Sequence, residues 1–410
     1  MPAQPTDTSP AQPADPSRII LLLSVAAFAS SASMRVCDPM LPRMAADFAV
    51  GLPEVSAVIA FFSIAYGGLQ IVYGPLGDRV GKLRLIGIAT AAASLTSLAC
   101  ALAPSLRWLI AGRLASGVIA AAIIPLSFAW IGDVVPFERR QPVLARFLSG
   151  SILGAILGQL IGGVMADTVG WRAAFGVLAL VFLAAGATLL RQVRRGREPE
   201  PAARITGQGW FAPYRELTAD RWVRTVLAIV AAEGMVVFGA TAFIPTWLHQ
   251  RDGLSLTVAG LIAAVFAIGG LIYTSLAVRL LRRLGDHGLA FAGGLSLAGG
   301  LLVMALAPGW LAGALASLLM GVGFYAMHNT LQTHGTQLSA TQRATGMAMF
   351  AACYFLGQSI GVTVASTIVE RAGFIALFVA YAAATALLAL WLRAVLMKRR
   401  ASQAAPAGHG

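Results

Sequence analysis

The chain has 410 residues, of which 58% are hydrophobic and only 11% charged, with a formal net charge of +13. A soluble domain carries about 25% charged and about 45–50% apolar residues, so one large soluble core does not account for this balance. The basic residues punctuate apolar runs and form no patch interleaved with solvated aromatics, which argues against a nucleic-acid surface.

Met1 to Ser17 is rich in Pro, Ala and polar residues without apolar periodicity, and is expected to be a disordered tail. Arg18 opens the apolar run Ile19 to Ser33, which on its own could pass for a signal peptide. Periodicity that resumes through Met40-Leu41-Pro42, with eleven further runs behind it, favours a first transmembrane helix. A crossing helix needs about 20 mostly apolar residues. The runs predict spans at 19–44, 54–76, 84–104, 107–132, 146–167, 171–191, 222–247, 255–280, 287–308, 310–336, 345–369 and 373–396. The long hydrophilic stretch Arg191 to Arg224 divides them six and six. The expected organisation is therefore a tail at 1–17, a six-helix bundle at 18–191, a cytoplasmic linker at 192–221, a second bundle at 222–397 and a tail at 398–410.

The distribution of Lys and Arg orients this layout. With the N-terminus inside, 23 of the 30 fall in inner tails and loops, six lie outside, and Arg113 sits within a span. Cytoplasmic loops hold the excess of basic residues, so both termini are expected in the cytoplasm. The three cysteines, Cys37, Cys100 and Cys353, are scattered through apolar runs, and the five histidines are equally dispersed. Neither set has disulfide or metal-ligand spacing, and no metal or cofactor is expected.

Internal similarity supports a duplicated half. Leu157-Gly158-Gln159-Leu160-Ile161-Gly162 returns as Leu356-Gly357-Gln358-Ser359-Ile360-Gly361, and Gly67-Gly68-Leu69 returns as Gly269-Gly270-Leu271. Both offsets are about 200 residues, half the chain, as expected of a repeat-built transporter.

Between the second and third spans stands Gly74-Pro75-Leu76-Gly77-Asp78-Arg79-Val80-Gly81-Lys82-Leu83-Arg84. This resembles the cytoplasmic signature of the major facilitator superfamily: a glycine, a leucine, an Asp-Arg pair, then a glycine and basic residues. The resemblance implies an all-α membrane fold of twelve transmembrane helices in two pseudo-symmetric six-helix bundles around a central cavity. It also implies a cytoplasmic gate built from Gly74, Asp78, Arg79, Gly81 and Lys82, with Asp133 pairing to Arg79. The alternative is an ordinary positive-inside turn. Leu109 to Gly117, with Arg113 at its centre, resembles the family's fourth-helix motif, although Ser116 stands where glutamine is usual. A guanidinium within the hydrocarbon region is costly and faces a cavity or a partner. Arg113 is thus either a part of proton coupling and anion contact or one side of a structural salt bridge. Gly158 to Gly163 resembles the antiporter motif of the family's exporters, with Gln159 in the place of proline. Gly150, Gly154, Gly158 and Gly162 equally make a stripe for close helix packing.

Two acids fall inside spans, Asp38 and Glu233. The segment Asp38-Pro39-Met40-Leu41-Pro42 with Asp47-Phe48 is similar to the first helix of the twelve-span drug:proton antiporters of the superfamily. Burial favours the neutral form of a carboxyl and a nearby cation favours the charged form, the balance a proton-coupled carrier needs. Arg35, three residues before Asp38, shares its helical face, so Asp38 is either a proton site or a structural partner of Arg35. Glu233 has no local cation in the sequence and is a comparable proton site, or a polar contact between halves. In the tenth span His328, Asn329 and Gln332 give a polar face, either substrate contacts or interhelical bonds; Gln159 is a further substrate-cavity candidate. Tyr66, Phe238, Phe243 and Tyr325 either line an apolar cavity or pack in the core or against lipid.

These features together predict a secondary-active transporter of the bacterial inner membrane. It is expected to be a monomer in lipid that exports a small organic or drug-like solute on the proton gradient. The alternative is a proton-symporting importer of an organic acid or sugar. An intramembrane enzyme or receptor is the remote alternative, since neither a nucleophile–base pair nor an appended soluble domain is present.

Overall fold

Proline and glycine positions decide where this apolar chain bends. The computed structural model describes residues 16–195, 212–339 and 342–404, which are helical almost throughout, with no strand among them. Helix α1 (Pro16–Arg35) ends in a short 3-10 turn at Asp38–Met40 and continues as α2 (Leu41–Phe48). Pro39 and Pro42 have no N–H to give the carbonyls of Arg35 and Asp38, so the break falls at the acid. Helices α3 (Leu52–Val80) and α4 (Lys82–Ala101) join at Gly81, whose φ of 94° suits glycine alone. One crossing is shared by α5 (Leu106–Ala120) and α6 (Ile123–Val134), and α7 (Phe137–Asp167) and α8 (Trp171–Arg195) complete the first half.

A short helix, α9 (Ala212–Ala219), occupies the linker region. The second half opens with α10 (Arg221–Thr241) and α11 (Ile244–Asp252), followed by α12 (Leu256–Leu306), α13 (Trp310–Gly335) and α14 (Arg343–Ala404). Ten stretches among the described residues are long and apolar enough to cross a membrane. Two helices far exceed one crossing, α12 with 51 residues and α14 with 62. Each is interrupted by a glycine at positive φ, Gly285 at 66° and Gly373 at 83°. The ten stretches stand against the twelve expected, and each of the two long helices lies where two spans were expected.

The expected tail at 1–17 lies outside the described residues except for 16 and 17, which begin α1. Within the expected linker, 196–211 lie outside the description, and α8 and α9 take up residues on either side. Helix α14 continues past 398 to Ala404, and 405–410 lie outside the description.

Packing follows the small residues. Gly150, Gly154 and Gly158 of α7 lie directly against the backbone of α1 at Ser24, Phe28 and Ala32, and Gly162 against Val36 just beyond its end. In the second half, Gly357 and Gly361 of α14 meet Ala231 and Met235 of α10 in the same way. The glycine stripe is therefore a packing device, whatever else it carries. The halves touch through α7 against α12 and α3 against α14. Leucines such as Leu95, Leu180 and Leu387 face outward, which suits a surface solvated by lipid chains.

At the end of the bundle opposite α1's start, Asp167 of α7 ties the halves together. Its carboxylate accepts from the Leu256 and Thr257 amides at 3.1 and 2.7 Å and from the Thr257 hydroxyl at 2.6 Å. Negative charge at a helix N-terminus is favourable, and here the helix, α12, belongs to the other half. Deeper in the interface Gln358 donates to the Ser63 hydroxyl at 3.0 Å and Ser359 to the Ala60 carbonyl at 2.9 Å.

Candidate functional site

A cavity of about 90 Å³ lies between the halves. Arg35 and Gln159 line it from the first half; Phe238, Thr241, Phe266 and Tyr325 line it from the second. Its wall is aromatic with a few polar groups, the usual makeup of a small-molecule site. The side-chain oxygens Oε1 of Gln159 and Oγ1 of Thr241 have no hydrogen-bond partner.

The α1 break sets the first charged pair beside this cavity. Asp38 is 1% exposed, and Arg35 Nη1 donates to its Oδ2 at 3.4 Å, a long contact. Asp38 Oδ1 is buried without a partner. The Arg35 guanidinium lies 3.9 Å from the centre of the Phe238 ring, within cation–π range. Arg35 thus stands between an acid of its own half and an aromatic ring of the other.

The second pair joins two residues that sequence spacing kept apart. Glu233 of α10 is fully buried, and its Oε2 lies 2.8 Å from His328 Nδ1 of α13. One proton is shared across that contact: either the ring N–H donates to the carboxylate, or a carboxyl O–H donates to the ring. Glu233 Oε1 has no partner. The His328 ring stacks on Phe324 at 4.9 Å and touches Tyr354 at 5.1 Å. Phe238 lies 5.6 Å from both Phe324 and Tyr354. A continuous aromatic cluster therefore runs from the Arg35 guanidinium to the His328 imidazole.

Arg113 is wholly buried and bonds chiefly to backbone carbonyls, while its Nη2 has no partner. Nε donates to the Val58 carbonyl at 3.1 Å, and Nη1 to the Ser33 carbonyl at 3.0 Å and hydroxyl at 3.3 Å. Its guanidinium lies 4.1 Å from the Phe62 ring centre. Among the described residues no carboxylate lies within ion-pair distance of it, so the salt-bridge alternative gives way. Arg113 satisfies the Ser33 carbonyl just before the α1 break and the Val58 carbonyl of α3, and so ties the backbone leading to Asp38 to α3.

The glycine and Asp-Arg segment sits at the opposite end of the bundle from Asp167. Lys82 Nζ bridges Asp78 at 3.0 Å and Asp133 at 2.6 Å, tying the α3–α4 turn to α6. This corrects the expected partner of Asp133, which is Lys82 where Arg79 was foreseen; Lys82, at the start of α4, faces the end of α6 directly. Gly81 makes the turn and Gly74 faces open space.

The sequence profile of the Major Facilitator Superfamily matches residues 23–340. The chain belongs to the major facilitator superfamily. Membership places it among membrane transporters and not among enzymes. It is 24% identical over 259 residues to the uncharacterized MFS-type transporter YwfA of Bacillus subtilis, covering 62% of each chain. It is 26% identical over 248 residues to the multidrug export protein EmrB of Escherichia coli, covering 60% of this chain and 46% of that one. These matches span less than two thirds of the relatives' own length. Among solved structures, the bacterial homologue of the human lysosomal transporter Spinster, inward-facing and occupied, aligns with a TM-score of 0.74. That alignment has 17% identity and covers 96% of this chain and 98% of the other. The nucleoside transporter NupG aligns with a TM-score of 0.72 at 15% identity, covering 92% and 99%. These structures establish the shared fold.

Of the residues foreseen from sequence, Asp38, Arg35, Gln159, Glu233 and His328 gather around the cavity and its aromatic wall. Asn329 lies beside Tyr273, and Gln332 is exposed; neither is among the cavity-lining residues described. Phe238 and Tyr325 line the cavity, whereas Phe243 is buried and Tyr66 packs on Phe62 and Phe355. Thr241, Phe324, Tyr354 and Asp167 escaped the sequence reading. Thr241 follows Phe238 by three residues on α10, a helical spacing that would have pointed to it.

Proposed function

We propose that this protein is a proton-coupled carrier that exports a small organic or drug-like solute across the bacterial inner membrane. The observation that carries it is the pair of buried acids. Each half holds one, Asp38 or Glu233, with one carboxylate oxygen unpartnered and the other held by a single basic side chain, Arg35 or His328. Both basic partners touch one aromatic cluster, which also walls the cavity. Proton uptake at Asp38 removes the charge that holds Arg35, and proton uptake at Glu233 turns its contact with His328 into a carboxyl-to-ring hydrogen bond; each change acts on a side chain packed against the aromatic wall. The names of the multidrug export relatives support the outward direction.

Transport would proceed by alternating access, with the halves rocking about the central site. The charge distribution puts the end where α1 begins in the cytoplasm. In that orientation the Asp167 contacts to the start of α12 hold the halves together on the outer side. The protein would act as a monomer in lipid, with the proton gradient as energy source and no cofactor.

The test is substrate-induced proton movement in inside-out vesicles, screened over a varied compound panel with Asp38→Asn and Glu233→Gln in parallel. A compound that collapses the gradient with the native protein and not with the variants supports the reading; full pH-driven transport by both variants overturns it. Arg35 in the cavity wall favours a second reading, proton-linked import of an organic acid, in which protonated Asp38 releases Arg35 to the cargo's carboxylate. Accumulation of cargo in cells, in place of depletion, would select it.

A further inference from the structure

Helix α3 contains Pro75 five residues before its end. Proline has no N–H and its ring pushes on the carbonyl four residues earlier, so the Ile71 carbonyl loses its helical partner. A carbonyl left unpaired away from water is costly. In this structure the Tyr214 hydroxyl donates to that same carbonyl at 2.9 Å.

Tyr214 is not a neighbour of α3 in sequence or in domain. It belongs to α9, which packs on α10 and α14 of the second half. Leu217 of the same helix is buried in the main core, and Gln342 Nε2 donates to Glu216 Oε2 at 3.2 Å. The linker helix is thus anchored to the second half and reaches across to the first through Tyr214. It does so at the end of the bundle opposite the Asp167 latch, where the halves must separate and close if access alternates.

We propose that the Tyr214–Ile71 hydrogen bond is a strap between the halves, with the acceptor created by Pro75, and that it favours the conformation seen here. The proposal rests on alternating access and adds a regulatory contact to it. Moving α3 relative to α9 breaks the bond and leaves the Ile71 carbonyl unpaired, so the strap opposes the exchange of conformations. Tyr214 is a positioning residue and touches no cargo.

The test reads conformation directly. Spin labels at Arg146→Cys on α7 and Arg279→Cys on α12, both exposed, report the separation of the halves at this end, with Cys37, Cys100 and Cys353 replaced by alanine. The full chain in lipid nanodiscs is measured with and without a proton gradient. In Tyr214→Phe the ratio of the conformation seen here to its alternative should fall about 2–10-fold, the effect of one hydrogen bond. Pro75→Ala returns an N–H to the Ile71 carbonyl, so in that background Tyr214→Phe should change the ratio little. An unaltered ratio in Tyr214→Phe overturns the strap and leaves alternating access standing. An equal shift in both backgrounds also overturns it, since Tyr214 would then act through something other than the orphaned carbonyl. A single unvarying separation in every background overturns both the strap and alternating access.

Discussion

The two halves pack by the same rules and carry different chemistry. Gly117 of α5 meets the Phe62 carbonyl of α3, and Gly321 of α13 meets the Phe266 carbonyl of α12 at the same offset along the chain. Gly158 on Ala32 and Gly162 on Val36 correspond likewise to Gly357 on Ala231 and Gly361 on Met235. With the helices so matched, Arg113 falls where the second half has Ser317, Asp38 where it has Val237, and Glu233 where the first half has Met34. The scaffold is duplicated and the charges are not. Backbone approach constrains a helix pair wherever it occurs, whereas a buried charge is tolerated only where a partner has been built. Under the proposed proton coupling, an asymmetric set of acids would let one symmetric frame respond to a proton differently on its two sides.

The asymmetry is tested most strongly at the acids. Asp38→Asn and Glu233→Gln are each expected to lower proton-coupled transport by about 100-fold, the lower range for loss of a proton-transferring group, as read by cargo-dependent gradient collapse. Full activity in one of them would confine coupling to the other half. The symmetry of the scaffold predicts the next effect. Gly117→Val and Gly321→Val each force a side chain against a carbonyl and should each destabilise by about 3 kcal/mol, measured as thermal unfolding in detergent. A large difference between the two would break the correspondence of the halves.

Arg113→Lys keeps the charge and loses the fork that serves Val58 and Ser33 together, at about 2 kcal/mol of stability. Its counterpart Ser317→Ala removes a buried hydroxyl that has no partner and should be neutral within about 0.5 kcal/mol. The same unfolding measurement checks both, and equal losses would contradict the different roles given to matched positions. Asp167→Asn retains an acceptor for the α12 amides and loses the charge. It should shift the halves toward opening at that end by about 5-fold, near 1 kcal/mol, seen as a longer distance between spin labels at the exposed positions Val169→Cys and Val258→Cys.

Much of the fold was legible in the chain because a lipid-exposed helix must be apolar along its length. The apolar helices and the glycine stripe of α7 follow from that constraint and from the need for small residues where backbones touch. The Asp38–Arg35 contact was legible too, since residues three apart share a helix face. Glu233 and His328 were both visible as polar residues within spans, but nothing local joined them. The same holds for Lys82 and Asp133, where the sequence offered two neighbouring bases and gave no ground in spacing for choosing between them.

What the sequence by itself determined is the local part: where helices run, where Pro39, Pro42 and Pro75 break or loosen them, and which few polar groups enter an apolar environment. Only the tertiary structure decided the pairings. Those are Glu233 with His328, Arg113 with the carbonyls of Val58 and Ser33, Asp167 with the start of α12, and Tyr214 with Ile71. The physical reason is that a helix fixes geometry over a turn or two, while a buried polar group takes its partner from whichever helix packing brings within about 3 Å.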